Sequence, residues 1–218
     1  MIIDKGGIFM SLNRKAFSCI NYGLFLVSAA GVENPQGCIV NSLHQVTSSM
    51  PPMFSLTVNK SNETYKAIEA TGCFSALVLA KDTPKELVNL FGYKSGRVGN
   101  KFEGYETDVD ENGSPYLKGY GLARFACKVV EKLDLGSYML YIAQCSEAEL
   151  LSNGLALTLD DHREKGNSTP PTATVIRTTD EVPSWQCSVC GYIAYKDELP
   201  DGYKCPLCRA DKDKFVKQ

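Results

Sequence analysis

Two Cys-x-x-Cys pairs, Cys187 with Cys190 and Cys205 with Cys208, stand fourteen residues apart near the end of the chain. In each turn two thiolates can converge on one ion while backbone N–H groups point at the sulfurs. Two such turns make a closed tetrahedral S4 site, which suits iron or zinc. The stretch 184–218 that carries them has 35 residues, too few to bury a self-supporting core, so a metal would also supply folding free energy. The other cysteines, Cys19, Cys38, Cys73, Cys127 and Cys145, are scattered through apolar stretches and read as small buried side chains. An odd total of nine, with Asp4 and Lys5 interrupting the first apolar stretch, argues against a secreted disulfide scaffold and for a reducing, cytoplasmic setting.

A second constellation is polar rather than sulfur-based. Asn41, Ser42, Thr47 and Ser48 bring short amide and hydroxyl groups onto one expected strand and its following turn. Lys60 and the hydroxyl of Thr64 stand at the start of an expected helix, whose N-terminal N–H groups would complete a phosphate cradle. Taken singly, the same residues are turn formers and a solvated charge. No Gly-x-Gly-x-x-Gly follows a strand and no Walker-type loop occurs; Gly119-Tyr120-Gly121 is too short a fragment.

These groups need a scaffold. The chain has 218 residues, 23 Lys+Arg against 25 Asp+Glu and 44% apolar side chains, enough for one sizeable core plus a small module. Near-neutral charge offers no basic field for nucleic acid or an anionic membrane surface. No apolar run approaches the roughly 18 residues that span a bilayer. Met10, just before an expected helix start at Ser11, is a second candidate initiator. Residues 22–28 and 53–58 are β-rich, and 73–80 is a buried-strand pattern. Asn62 and Gly72 bracket a short helix. Thr83-Pro84-Lys85-Glu86 has the form of a capping box with proline at the first helical position, opening a helix that ends near Gly92. Residues 125–133 and 138–144 are further strands. Strands outnumber helices and few strand–helix–strand repeats occur, so the expectation is an antiparallel barrel with a few helices, mainly β with some α. The proline-stiffened polar stretch 166–183 reads as a linker or an extended arm packed on the barrel. The chain thus divides into a barrel over 10–165, the linker or arm over 166–183, and the metal module over 184–218.

Residues 37–52 (GCIVNSLHQVTSSMPP) and 54–65 (FSLTVNKSNETY) resemble the flavin-reductase-like FMN-binding family, as do 72–79 (GCFSALVL), 90–97 (LFGYKSGR) and 101–104 (KFEG). That resemblance implies a split β-barrel, a homodimer formed through the barrel, and FMN near the subunit interface. It also implies cofactor contacts at Asn41, Ser42, Leu43, Thr47, Ser48, Asn59, Lys60, Thr64 and Tyr65. NADH or NADPH would then dock directly over the flavin. His162 falls where relatives carry a flavin-proximal histidine, with Thr169, Pro170 and Ala173 supporting the alignment. Asp160 and Asp161 replace the usual aromatic residues, so His162 reads either as a flavin contact, and a candidate catalytic residue, or as an exposed loop histidine. His44 reads as a barrel residue, and Arg97 as either a steering or a solvated charge.

The terminal module, with Trp185, Gly191, Tyr192 and Pro206 around its cysteines, resembles rubredoxin, which holds one iron. Its short spacer, and Arg209 where glycine usually follows the last cysteine, are similar to the truncated module of rubrerythrin-type proteins. Zinc ribbons share the two turns. The order of the two parts resembles the high-molecular-weight rubredoxin family. This implies hydride transfer from NADH to FMN, single electrons to the iron, and delivery to an acceptor such as a flavodiiron protein reducing nitric oxide or oxygen. The alternatives are a flavin reductase that releases reduced flavin, and a zinc-ribbon adaptor on a degenerate barrel.

Overall fold

The computed structural model describes residues 2–3, 9–10, 13–175, 184–189, 192–205 and 209–217. A short pair, β1 (Ile2–Ile3) with β2 (Phe9–Met10), and a 3₁₀ turn over Arg14–Cys19 precede the main domain. Ser11, the expected helix start, lies outside the described residues. The domain then runs β3 (Phe25–Ala29), β4 (Gln36–Val40), β5 (Leu43–Gln45), β6 (Met53–Asn59), α1 (Glu63–Thr71), β7 (Cys73–Leu79) and α2 (Lys85–Tyr93). It continues with the ribbon β8 (Thr107–Val109) and β9 (Pro115–Leu117), the long hairpin β10 (Gly121–Leu135) and β11 (Tyr138–Leu150), and α3 (Leu159–Glu164). Among the described residues no helix is long and apolar enough to cross a membrane.

Seven strands form one antiparallel sheet in the order β4-β3-β7-β10-β11-β6-β5. Its two edges, β4 and β5, are separated in sequence only by Asn41 and Ser42. Three Cα steps cover at most about 11 Å. The sheet must therefore roll until its edges nearly meet, although the two edge strands do not pair. The antiparallel barrel expected from the sequence is present, split along this seam.

Burial explains the strand sequences. β6 alternates strictly between half-buried and buried residues, with one face inside the barrel. β3, β4 and β7 are covered on both faces, which is why they read as unbroken apolar runs. Val27, Cys38, Phe74 and Ala76 point into the barrel with Leu56, Val58 and Tyr141, and α1 adds Ala67 and Ile68 to that core. Leu26, Ile39, Leu77 and Leu79 point outward and are covered by Leu87, Val88 and Phe91 of α2 with Phe102 and Leu117.

The helix bounds obey local rules with one exception. Asn62 is the N-cap residue of α1, and Gly72 ends it in the left-handed conformation at φ 67°, its N–H bonded to the Ile68 carbonyl. The capping box expected at Thr83 does not form: Pro84 holds the N-cap position of α2, and the Thr83 hydroxyl instead donates to the Tyr120 carbonyl at 3.3 Å. A capping box does form at α3, where Thr158 and Asp161 bond each other's backbone N–H. The scattered cysteines also divide. Cys38, Cys127 and Cys145 are buried, Cys73 is half-buried, and Cys19 is exposed on the 3₁₀ turn, so the buried reading fails there.

The C-terminal module is a three-stranded antiparallel sheet, β13 (Ile193–Tyr195), β12 (Ser184–Cys187) and β14 (Phe215–Lys217), with β12 central. Cys187, Ala194, Leu199, Cys205 and Phe215 are buried among its described residues.

Candidate functional site

A cavity opens where the first turn of α1 faces the end of α2. Gln36, Cys38, Asn62, Thr64, Lys101 and Thr172 are among its lining. Thr64 is 2% exposed and hydrogen-bonds with the Cys38 thiol, whose pKa burial pushes up. Lys101 is 7% exposed, and its ammonium reaches the carbonyls of Lys94 at 3.2 Å and Phe91 at 3.4 Å and lies 5.2 Å from the Phe91 ring centroid. Among the described residues no carboxylate pairs with it, and desolvation pushes its pKa down to about 8. Two buried polar atoms on the same wall, Asn62 Nδ2 and Gln36 Oε1, have no partner among the described residues. A buried cation, an orphaned amide donor and a helix N-terminus converge on one space. That is the electrostatics of an anion cradle. A larger cleft of about 370 Å³ adjoins it, sharing Gln36, Glu63 and Gly96 and lined also by Arg97.

The sequence-predicted residues fall into three places. At the seam, Asn41 is buried and bonds both peptide groups of Thr174, Ser42 Oγ donates to the Thr57 carbonyl at 2.7 Å, and Leu43 belongs to the barrel core. In the turn between β5 and β6, Thr47 Oγ1 accepts the Met53 N–H at 2.9 Å, while Ser48 is exposed. Before α1, Asn59 Oδ1 accepts from Ser61 N and Oγ, Thr64 faces the cradle, and Tyr65 packs against the barrel core. Lys60 does not join Thr64. Its backbone N–H bonds Ser137 and its ammonium pairs with Asp134, both at the β10–β11 turn. Lys101 is the cation of the cradle instead. Arg97 pairs with Glu63 while remaining exposed, and His44 is exposed on the edge strand β5.

His162 is 2% exposed on α3, so the exposed-loop reading is excluded. Burial lowers its pKa, opposed by a hydrogen bond with the Ser168 backbone, and its Nε2 has no partner among the described residues. The neighbouring aspartates, which displaced the expected aromatics, hold the helix. Asp161 completes the capping box and pairs with Lys81 at 2.7 Å, which keeps its carboxyl at about 2.

In the terminal module Cys187 and Cys205 are 1% and 0% exposed within one cluster. Cys187 N–H bonds the Tyr192 carbonyl and Cys205 N–H the Ala210 carbonyl, each at 2.8 Å, closing the loop around each cysteine. Cys190 and Cys208 lie outside the described residues. Arg209 is the one described non-glycine residue with positive φ, 63°, and its N–H bonds the Cys205 carbonyl at 2.9 Å. It adopts the backbone that glycine would adopt there at no steric cost.

Comparison with known proteins accounts for this pairing of cradle and thiolates. Residues 17–167 match the flavin reductase like domain, and residues 185–216 match the rubrerythrin, rubredoxin-like domain. The chain belongs to the flavin-reductase-like family. Among flavin-reductase-like relatives, the high molecular weight rubredoxin of Moorella thermoacetica is 32% identical over 94% of this chain and 99% of its own length. The ferric-chelate reductase (NAD(P)H) of Archaeoglobus fulgidus is 34% identical over 75% of this chain and 97% of its own length. The crystal structure of flavoredoxin from Methanosarcina acetivorans shares the fold, with TM-score 0.58 at 22% identity over 66% of this chain and 75% of that one.

The residues of this flavin-reductase-like chain fit the groups its two domains imply. Lys101, Asn62, Thr64 and the α1 N-terminus suit a phosphate, and the buried Cys187 and Cys205 are the soft donors of a thiolate site. Sequence reasoning missed Lys101 as a ligand candidate because it lies 37 residues beyond Thr64. The available signal was a lysine set between Asn100 and Phe102 in an otherwise apolar-anchored turn.

Proposed function

We propose that this protein is an NAD(P)H-dependent electron-transfer oxidoreductase, holding FMN in the barrel cradle and one iron in the C-terminal thiolate site. Reduced nicotinamide gives up two electrons as a hydride, and FMN supplies two-electron acceptance with one-electron release. Electrons then leave singly through the iron to an external acceptor, for which a flavodiiron protein is the proposed class. The protein would work in the cytoplasm as a homodimer through the barrel.

The residues divide the work as follows. Lys101, Thr64 and Asn62 neutralise and hold the phosphate. The seam and β5–β6 turn groups, Asn41, Ser42, Leu43, Thr47 and Ser48, with Asn59 and Tyr65 beside α1, border the rest of the cofactor. His162, kept neutral by burial, offers an imidazole with one nitrogen uncommitted to the barrel. Cys187, Cys190, Cys205 and Cys208 provide four thiolates, which an iron cycling between two charge states can keep without changing ligands.

One observation carries this reading: matches to a flavin reductase like domain and to a rubredoxin-like domain occur in one chain, which also aligns with a high molecular weight rubredoxin over nearly its whole length. Anaerobic titration with NADH tests it. The expected result is flavin bleaching accompanied by stoichiometric bleaching of the iron–thiolate absorption. Flavin that bleaches and washes out on gel filtration, or a colourless zinc-loaded protein, would overturn it.

A further inference from the structure

Two of the scattered cysteines are brought face to face. In the β10–β11 hairpin Ala126 pairs with Glu147, so an unbroken ladder would set Cys127 opposite Ser146. A bulge intervenes: β11 carries Ser146 as an extra residue, and Cys127 pairs with Cys145 instead. Their backbone N–H groups turn away from each other. Cys145 N–H donates to the Pro52 carbonyl at 2.9 Å, on the β6 side of β11. Val129 N–H, which shares its direction with that of Cys127, donates to the Gly72 carbonyl at 2.8 Å, on the β7 side of β10. The two cysteines are therefore a non-hydrogen-bonded pair, the kind whose Cα atoms stand about 4.5 Å apart and whose side chains come closest. Both lie in the core inside the rolled sheet, Cys127 0% and Cys145 5% exposed, and their thiols hydrogen-bond each other. Cys73 on β7 is excluded from the pair. Its neighbour Phe74 points into the barrel, so Cys73 faces the other side of the sheet.

A disulfide needs Cα atoms about 4.4–6.8 Å apart and Cβ atoms that converge, and a non-hydrogen-bonded cross-strand pair offers both. We propose that Cys127 and Cys145 form a redox modification site: two-electron oxidation by a hydroperoxide joins them as a cross-strand disulfide in the middle of the barrel sheet, and thiol reductants reopen it. Neither a flavin nor a metal takes part, so the site stands apart from the relay reading. The two thiols have different roles. The Cys127 thiol donates to the Cys145 sulfur, which favours the Cys145 thiolate, and Cys145 is also the more exposed of the two. Cys145 therefore attacks first. Its sulfur bonds one peroxide oxygen, the O–O bond breaks, and a water leaves, giving a sulfenic acid. The Cys127 sulfur then attacks the Cys145 sulfur; the S–S bond forms, the S–O bond breaks, and the thiol proton departs with a second water. Two thiols and one peroxide give one disulfide and two waters. Burial is the main influence that pushes both thiols up, with Asp110 and Cys73 adding to it at Cys127 and Glu111 and Glu147 at Cys145. The thiolate is the nucleophile, so the site answers sustained oxidant rather than a brief pulse.

The test holds the full chain, as purified, in graded hydrogen peroxide up to the highest dose that leaves its far-UV circular dichroism unchanged. Remaining thiols are then alkylated, and the tryptic peptides are mapped without reduction. Lys128 and Lys132 lie between the two cysteines, so their peptides separate unless a disulfide joins them. The expected product is peptide 125–128 linked to peptide 133–163, lighter than the two free peptides by two hydrogens, and dithiothreitol should part them again. The link should persist in Cys73→Ala and disappear in Cys127→Ala. The parent map decides the question by itself if that second variant folds poorly. Recovery of Cys127 and Cys145 as alkylated thiols at every dose would overturn the site. So would Cys145 converted to sulfinic acid beside a free Cys127, or links from Cys145 to Cys73 or Cys38 in place of Cys127.

Discussion

At the scale of single residues, Lys101 carries the most testable physics. It is a buried ammonium whose pKa lies at about 8, lowered by desolvation, whereas the unfolded chain holds that proton up to the ordinary lysine value of 10.5. Between these two values the unfolded state binds more protons than the folded one, so stability of the ligand-free protein rises with pH through that window. Below it, at pH 7, the uncompensated charge costs about 3 kcal/mol. Lys101→Met should therefore raise the melting temperature of the cofactor-free protein by several degrees at pH 7 and flatten its rise between pH 8 and 10. The same change removes a charge-assisted bond to phosphate, and FMN affinity should fall by about tenfold or more. Melts at stepped pH and a fluorescence titration with FMN check both. Tight FMN binding by the variant would take Lys101 out of the cradle. Arg209 offers a second case. Its left-handed φ of 63° costs an L-residue about 1 kcal/mol, so Arg209→Gly should stabilise the metal-loaded module by about that amount or slightly less, read as a shift in its denaturant midpoint.

At the scale of elements, α3 shows how a six-residue helix is made firm enough to present a buried histidine. Thr158 and Asp161 satisfy each other's backbone donors, and Lys81 ties Asp161 to the end of β7. Thr158→Ala should cost about 1 kcal/mol and loosen His162, seen as faster exchange of its backbone N–H, which bonds the Thr158 carbonyl at 3.1 Å. This helix also marks the boundary of what sequence discloses. Gly72 fixes the end of α1 by local stereochemistry, and both ends were legible, although the Asn62 side chain at the N-cap position makes no capping hydrogen bond. Thr83-x-x-Glu86 satisfied the same kind of rule, yet the Thr83 hydroxyl found a tertiary partner in Tyr120, which no local pattern encodes. The aspartates before His162 read as a departure from relatives when they are its support. Strands β10 and β11 are longer than their apolar cores because their outer halves are exposed and carry no burial pattern. Lys60 and Lys101 changed places for a similar reason: which lysine reaches the cradle is decided by how α2 and its following turn fold back on α1.

At the scale of the whole molecule, the chain joins two units with different sources of stability. The barrel domain has two extensive cores, one inside the rolled sheet and one beneath α2. Among its described residues the terminal module has one small cluster of five buried residues, two of which are cysteines. A stretch of 35 residues buries only a few large side chains, at about 1.5–3 kcal/mol each, and these cannot offset the ordering of some 30 residues at over 1 kcal/mol each. Binding of the proposed metal would close that deficit. Removing the metal with a chelator under mild denaturant should therefore unfold residues 184–218 while leaving the barrel intact. Amide exchange would show protection lost across β12, β13 and β14 and retained in β6, β7 and the inner halves of β10 and β11. Thermal scans should change from two transitions to one, with the barrel transition unmoved. A barrel that melts together with the demetallated module would mean that the two units share stabilising contacts.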